Sequence, residues 1–114
     1  MLQVLQVTDQ LIQDMTDIIV REVNPRMVIL FGSHARRDAR PESDLDFLVI
    51  EDGPFGPGRT REDEMVKLWE LFFDYAVPLD FLVYSPDEVD KWKDAPNHVI
   101  AHALKDGRVI YERH

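Results

Sequence analysis

A chain of 114 residues, 45% hydrophobic and 31% charged, has the size and balance of one ordinary globular domain, 1–114. The formal net charge of −9 excludes a surface built for polyanions, so no direct nucleic-acid contact is expected. Without cysteine there is no disulfide or thiolate metal site, and a start broken by Gln3, Gln6, Asp9 and Gln10 lacks a signal-peptide core, which points to a cytoplasmic protein away from membranes.

Leu11, Ile12, Met15, Ile18, Ile19 and Val23 recur at helical spacing, with Thr8 or Asp9 as N-cap and Asn24-Pro25 as the stop. The apolar run Met27 to Phe31 predicts a strand covered on both faces. Gly32-Ser33 turns the chain into a short helix that Pro41 should end. Asp44 to Ile50 predicts a second strand, and Gly53 to Gly58 a loop. Thr60 to Asp63 is a capping box for a helix whose Met65, Leu68, Trp69, Phe72, Phe73 and Ala76 form one broad apolar stripe, expected in the core. Pro78 opens a third strand, Leu79 to Tyr84. Ser85-Pro86-Asp87-Glu88 is a second capping box. A last helix is expected from about Pro96 to Lys105, stopped by Gly107, with Arg108 to Tyr111 as a short final strand. Helices alternating with strands predict an α/β (α+β) class, with one small mixed sheet flanked by helices.

Three aspartates carry the chemistry. Residues two apart on a strand face the same way, so Asp44 and Asp46 project together, and Asp80 adds a third carboxylate on another strand. Aspartate is disfavoured in strands and paired carboxylates repel, whereas magnesium prefers hard oxygen ligands and phosphate. Gly32 lets a phosphate approach the backbone, the following helix start offers free N–H groups, and Ser33 adds a hydroxyl donor. Between them, Arg36, Arg37 and Arg40 concentrate positive charge in an acidic chain. His34 reads as a surface residue. His98 and His102, four apart on a helix, lack a third metal ligand.

Gly32-Ser33-His34-Ala35-Arg36, then Ser43-Asp44-Leu45-Asp46-Phe47-Leu48-Val49, resembles the signature of the DNA-polymerase-beta-like nucleotidyltransferases: Gly-Ser, ten residues, Asp-x-Asp. The chain is most similar to the minimal nucleotidyltransferases found as antitoxins beside HEPN-domain toxins. The resemblance implies that Gly32 and Ser33 hold the β- and γ-phosphates of ATP. It further implies that Asp44 and Asp46 ligate two Mg²⁺ ions and that Asp80 completes the site. Arg36 would assist the triphosphate, or else form a structural salt bridge. The chain departs from many relatives in carrying Arg37 where they have glycine.

The implied activity is AMP transfer to a hydroxyl, a tyrosine of a partner HEPN toxin, within a hetero-oligomer. Two other readings stand beside it: a non-catalytic antitoxin that acts by binding alone, and a homodimeric small-molecule nucleotidyltransferase.

Overall fold

The computed structural model describes residues 3–4, 6–40 and 42–114. The first helix, α1 (Asp9–Val23), opens where the Thr8 hydroxyl accepts the Leu11 N–H at 3.1 Å. It ends at Asn24, which takes a left-handed φ of 48° ahead of Pro25. Its buried face is Ile12, Met15, Thr16 and Ile19, and the Thr16 hydroxyl donates back to the Ile12 carbonyl at 2.7 Å, so a buried polar group is satisfied.

The short β1 (Gln3–Val4) precedes α1, and β2 (Met27–Phe31) follows it with Val28, Ile29 and Leu30 all buried. Strand β2 runs antiparallel to β3 (Leu45–Ile50), placing Phe31 opposite Asp46. Strand β3 runs parallel to β5 (Leu79–Tyr84), placing Asp46 opposite Asp80. With β6 (Arg108–Glu112) antiparallel on the far side of β2, the order is β5-β3-β2-β6, the expected mixed sheet. A small parallel pairing joins β1 to β4 (Tyr75–Ala76).

Both faces of the sheet are covered. On one, Val28, Leu30, Leu45, Phe47, Val49, Phe81 and Val83 pack with residues of α1 and of α3 (Arg61–Leu71). Phe47, Phe72 and Phe81 stack there, with centroids 5.5 Å apart for Phe47–Phe81 and 5.9 Å for Phe72–Phe81. Each such buried side chain is worth about 1.5–3 kcal/mol relative to exposure. On the other, Ile29, Leu48 and Ile50 meet Ala103 of α5 (Val99–Asp106). Helix α4 (Pro86–Trp92) lies between β5 and α5 in the chain. Both expected capping boxes form, Thr60 with Asp63 and Ser85 with Glu88. Among the described residues no helix is long and apolar enough to cross a membrane.

Four expectations need correction. The strand starts at Leu45, so Asp44 stands one residue before it. The apolar stripe of α3 is divided: the helix stops at Leu71, Leu68 and Phe72 are buried, Ala76 belongs to β4, and Trp69 and Phe73 are 42% and 79% exposed. The last helix begins at Val99, because the His98 ring accepts the Ile100 N–H and caps it there. The short helix α2 (Gly32–Arg36) closes at Arg36, and Pro41, expected to end it, lies outside the described residues.

What ends α2 is Arg37, with a left-handed φ of 63°. A left-handed backbone suits glycine at this position, since a Cβ is crowded in that region. Relief of roughly 1–2 kcal/mol of left-handed crowding, less roughly 0.5–1 kcal/mol of glycine entropy, leaves Arg37→Gly expected to stabilise the fold by about 0.5–1 kcal/mol. Thermal unfolding would show a melting temperature raised by a few degrees; an unchanged or lower value would mean that the Arg37 side chain compensates for the backbone conformation.

Candidate active site

The site is assembled at one end of the sheet, where β2 ends and β3 and β5 begin. Strand pairing sets Asp46 and Asp80 side by side on the face that also carries Leu48 and Leu82. Asp44 precedes β3 and is exposed; Asp46 is half-buried; Asp80, second residue of β5, is exposed. Asp80 thus sits in the apolar sequence Leu79 to Tyr84 without being buried, so folding bears little cost for its charge.

Burial pushes the Asp46 carboxyl up to about 6, the neighbouring Asp80 and Asp44 charges add to the rise, and Arg36 opposes it. Three acids within electrostatic reach form a rim of negative charge. Among the described residues, no three acidic or histidine side chains are gathered closely enough to enclose an ion as they stand.

Gly32 decides how Asp46 is seated. It has a left-handed φ of 73°, and a Cβ added to it would overlap the Asp46 carboxylate. The missing side chain therefore does two things at once. It turns the chain from β2 into α2, and it leaves room for an acid against the backbone. No side chain caps the N-terminal end of α2, so the N–H groups around Gly32-Ser33 have no side-chain acceptor. A rim of hard carboxylate oxygens facing a backbone cradle fits a divalent cation such as Mg²⁺ with a phosphate ligand.

The arginines between the motif's halves divide their roles. Arg36 contacts Asp38 at 3.2 Å and Asp106 of α5 at 3.9 Å, forming the salt bridges that were the alternative to phosphate binding, yet its charge still reaches Asp46. Arg37 lies 3.8 Å from Asp9. Arg37 and Arg40 line a cavity of about 590 Å³ together with His34, Ile12, Val77 and Pro78, and none of the three aspartates is part of its wall. His34, expected on the surface, is half-buried, its Nε2 lying 3.4 Å from the Ser43 carbonyl oxygen, which ties the loop's two ends together. His98 stacks on Trp92 at 4.6 Å. Sequence reasoning missed Asp106 as a partner of Arg36; no local pattern marks a contact between residues 70 positions apart.

The family described as "Polymerase beta, Nucleotidyltransferase" matches residues 13–114. The chain belongs to this family. A protein of Methanocaldococcus jannaschii named "Putative protein adenylyltransferase MJ0604" is 33% identical over 87 residues, which is 75% of this chain and 78% of that one. A crystal structure of a "putative nucleotidyltransferase" from Sulfolobus solfataricus shares the fold, with a TM-score of 0.63 and 21% identity, over 91% of this chain and 79% of that one. A "toxin-antitoxin with AMP-PNP" matches with a TM-score of 0.54 and 15% identity, over 89% and 73% of the two chains. In this nucleotidyltransferase the Gly-Ser turn and the Asp-x-Asp segment meet through the pairing of Phe31 with Asp46.

Proposed function

We propose that this nucleotidyltransferase moves AMP from ATP to a hydroxyl group on a partner protein, a tyrosine of a HEPN-type toxin, and so acts as the enzymatic antitoxin of a cytoplasmic pair. The observation that carries the reading is the side-by-side pairing of Asp46 with Asp80, with Asp44 adjacent and Asp46 seated against Gly32. A relative named as a protein adenylyltransferase supports a protein acceptor, and a fold shared with a chain of a toxin-antitoxin assembly supports a toxin partner.

In this reading Asp44 and Asp46 hold two Mg²⁺ ions and Asp80 completes the set. Held there, a metal would supply positive charge against the triphosphate and against the charge developing on the entering and leaving oxygens. The Gly32-Ser33 backbone and the Ser33 hydroxyl donate to the β- and γ-phosphates and orient the leaving group. Arg36 adds positive charge beside them. Asp80, exposed beside half-buried Asp46, accepts the proton of the attacking hydroxyl. A bond forms between that oxygen and the α-phosphorus, the bond from the α-phosphorus to the bridging oxygen breaks, and pyrophosphate departs with the electron pair.

Incubating the chain with α-labelled ATP, Mg²⁺ and the toxin encoded beside it tests the proposal. Label is expected on the toxin, with toxin activity lost at sub-stoichiometric amounts of this chain. Asp80→Asn is expected to fail in both respects even in excess. Inhibition that needs no ATP, tracks molar ratio and survives Asp80→Asn would make the protein a binding module instead.

A further inference from the structure

Helix α3 carries apolar surface that the fold does not use. Val66, Trp69 and Phe73 are 54%, 42% and 79% exposed. Val66 and Trp69 lie three apart on α3 and so share a face, and Phe73 follows in the turn two residues past the end of the helix. Single exposed apolar residues are ordinary, whereas a stripe containing two large aromatics marks a contact surface. Trp69 is already oriented, edge-on against the core ring of Phe81 with centroids 5.7 Å apart. An aromatic ring held in place in this way is a typical anchor of a protein interface.

The stripe ends at the same end of the sheet as the candidate active site, on the opposite face. Arg61, first residue of α3, donates to the Val83 carbonyl at 2.8 Å, while Phe72, just past its last residue, stacks on Phe81. The helix therefore runs against the direction of β5, and Phe73 lies towards the end of β5 where Asp80 stands. Helix α3 covers the sheet face of Phe81 and Val83, whereas Asp46 and Asp80 stand on the face of Leu48 and Leu82, so a protein seated on the stripe reaches the aspartates around the end of the sheet where β5 begins.

The charge around the stripe selects the occupant. The other exposed residues of α3 are Glu62, Asp63, Lys67 and Glu70, three acids against one base, on a chain of net charge −9. A second copy would bring the same acidic rim and the same net charge, and an anionic membrane would be repelled likewise. We infer that the outer face of α3 docks a heterologous protein whose contact surface is apolar and rimmed by lysine and arginine, and that the acceptor it carries reaches Asp80 around the end of the sheet where β5 begins. The inference rests on the reading that the acceptor hydroxyl arrives on another protein.

The test uses the full chain with Trp92→Phe, which leaves Trp69 as the sole tryptophan. Two amphipathic helical peptides, one of leucine and lysine and one of leucine and glutamate, are titrated while Trp69 emission is followed. The lysine peptide is expected to shift the emission to the blue and to bind at least about tenfold more tightly than the glutamate peptide. Adding Val66→Ser and Phe73→Ser, which keeps every charge, should weaken that binding by about tenfold or more. Equal affinity for the two peptides, or unaltered affinity in the double variant, would overturn the proposal. Concentration-dependent dimerisation of the unsubstituted chain, abolished by the double variant, would also overturn it and assign the stripe to a second copy. Mg²⁺-dependent ATP binding should be the same with and without the double substitution. If the unsubstituted chain bound no ATP while the peptide result held, the catalytic reading would fail and the docking surface would stand.

Discussion

Gly32→Ala is expected to abolish nucleotidyl transfer and to destabilise the protein. Gly32 sits at a φ of 73°, where a side chain costs roughly 1–2 kcal/mol. The new methyl would also occupy the space of the Asp46 carboxylate. Asp46 or the turn into α2 must move, and either displacement separates the phosphate-facing backbone from the acid rim. A misplacement of about 1 Å at a reacting centre can cost about 100-fold in rate. The strain alone corresponds to a fall in melting temperature of about 5–10 °C. Unfolding curves and transfer assays on the variant would check both parts. Wild-type activity would show that the Gly32 cradle plays no part in catalysis.

Asp46→Asn is expected to abolish transfer while stabilising the metal-free fold at neutral pH, the opposite sign to Gly32→Ala. Below pH 3.8 the Asp46 carboxyl is protonated in folded and unfolded chains alike, and burial carries no penalty. Between 3.8 and about 6 the unfolded chain loses its proton first, so stability falls as pH rises. Above about 6 both states are ionised and the penalty is constant. Asparagine has no such transition and relieves the repulsion from Asp80 and Asp44. In the presence of chelator, the melting temperature of Asp46→Asn should match wild type near pH 4 and exceed it by a few degrees at pH 7.5. An advantage that is the same at both pH values would mean that the Asp46 charge is not what strains the apo site. Loss of stability at both would make Asp46 a structural residue.

Much of this architecture is legible in the sequence because its signals are local. The uninterrupted run Met27 to Phe31 marks a strand covered on both faces, and α1 shows its period and both of its ends. The sequence puts Gly32-Ser33 at the end of one strand and Asp46 near the start of the next, and the antiparallel pairing of β2 with β3 brings the two together. Other features depend on long-range packing and have no local mark. The two-residue strands β1 and β4 are too short to carry a pattern. The periodicity that places Leu68 inside cannot show that α3 stops at Leu71, and past that point Phe72 turns inward and Phe73 outward. No local pattern marks Glu51, just after β3, which is buried beside Glu64 and Arg59, and burial raises its carboxyl well above the usual range. Arg36 meets Asp106 only because α5 packs back beside α2.

Calorimetric titration of ATP into the chain, with Mg²⁺ and after thorough chelation, tests the site at its root, because it needs no knowledge of the acceptor. Carboxylate rim and triphosphate are both anionic, so they repel unless a divalent cation lies between them. The expected result is binding with Mg²⁺, none detectable in chelator, and a severe loss in Asp46→Asn. Equal affinity with and without the metal, or full affinity in Asp46→Asn, would contradict a nucleotide site built on Asp44, Asp46 and Asp80.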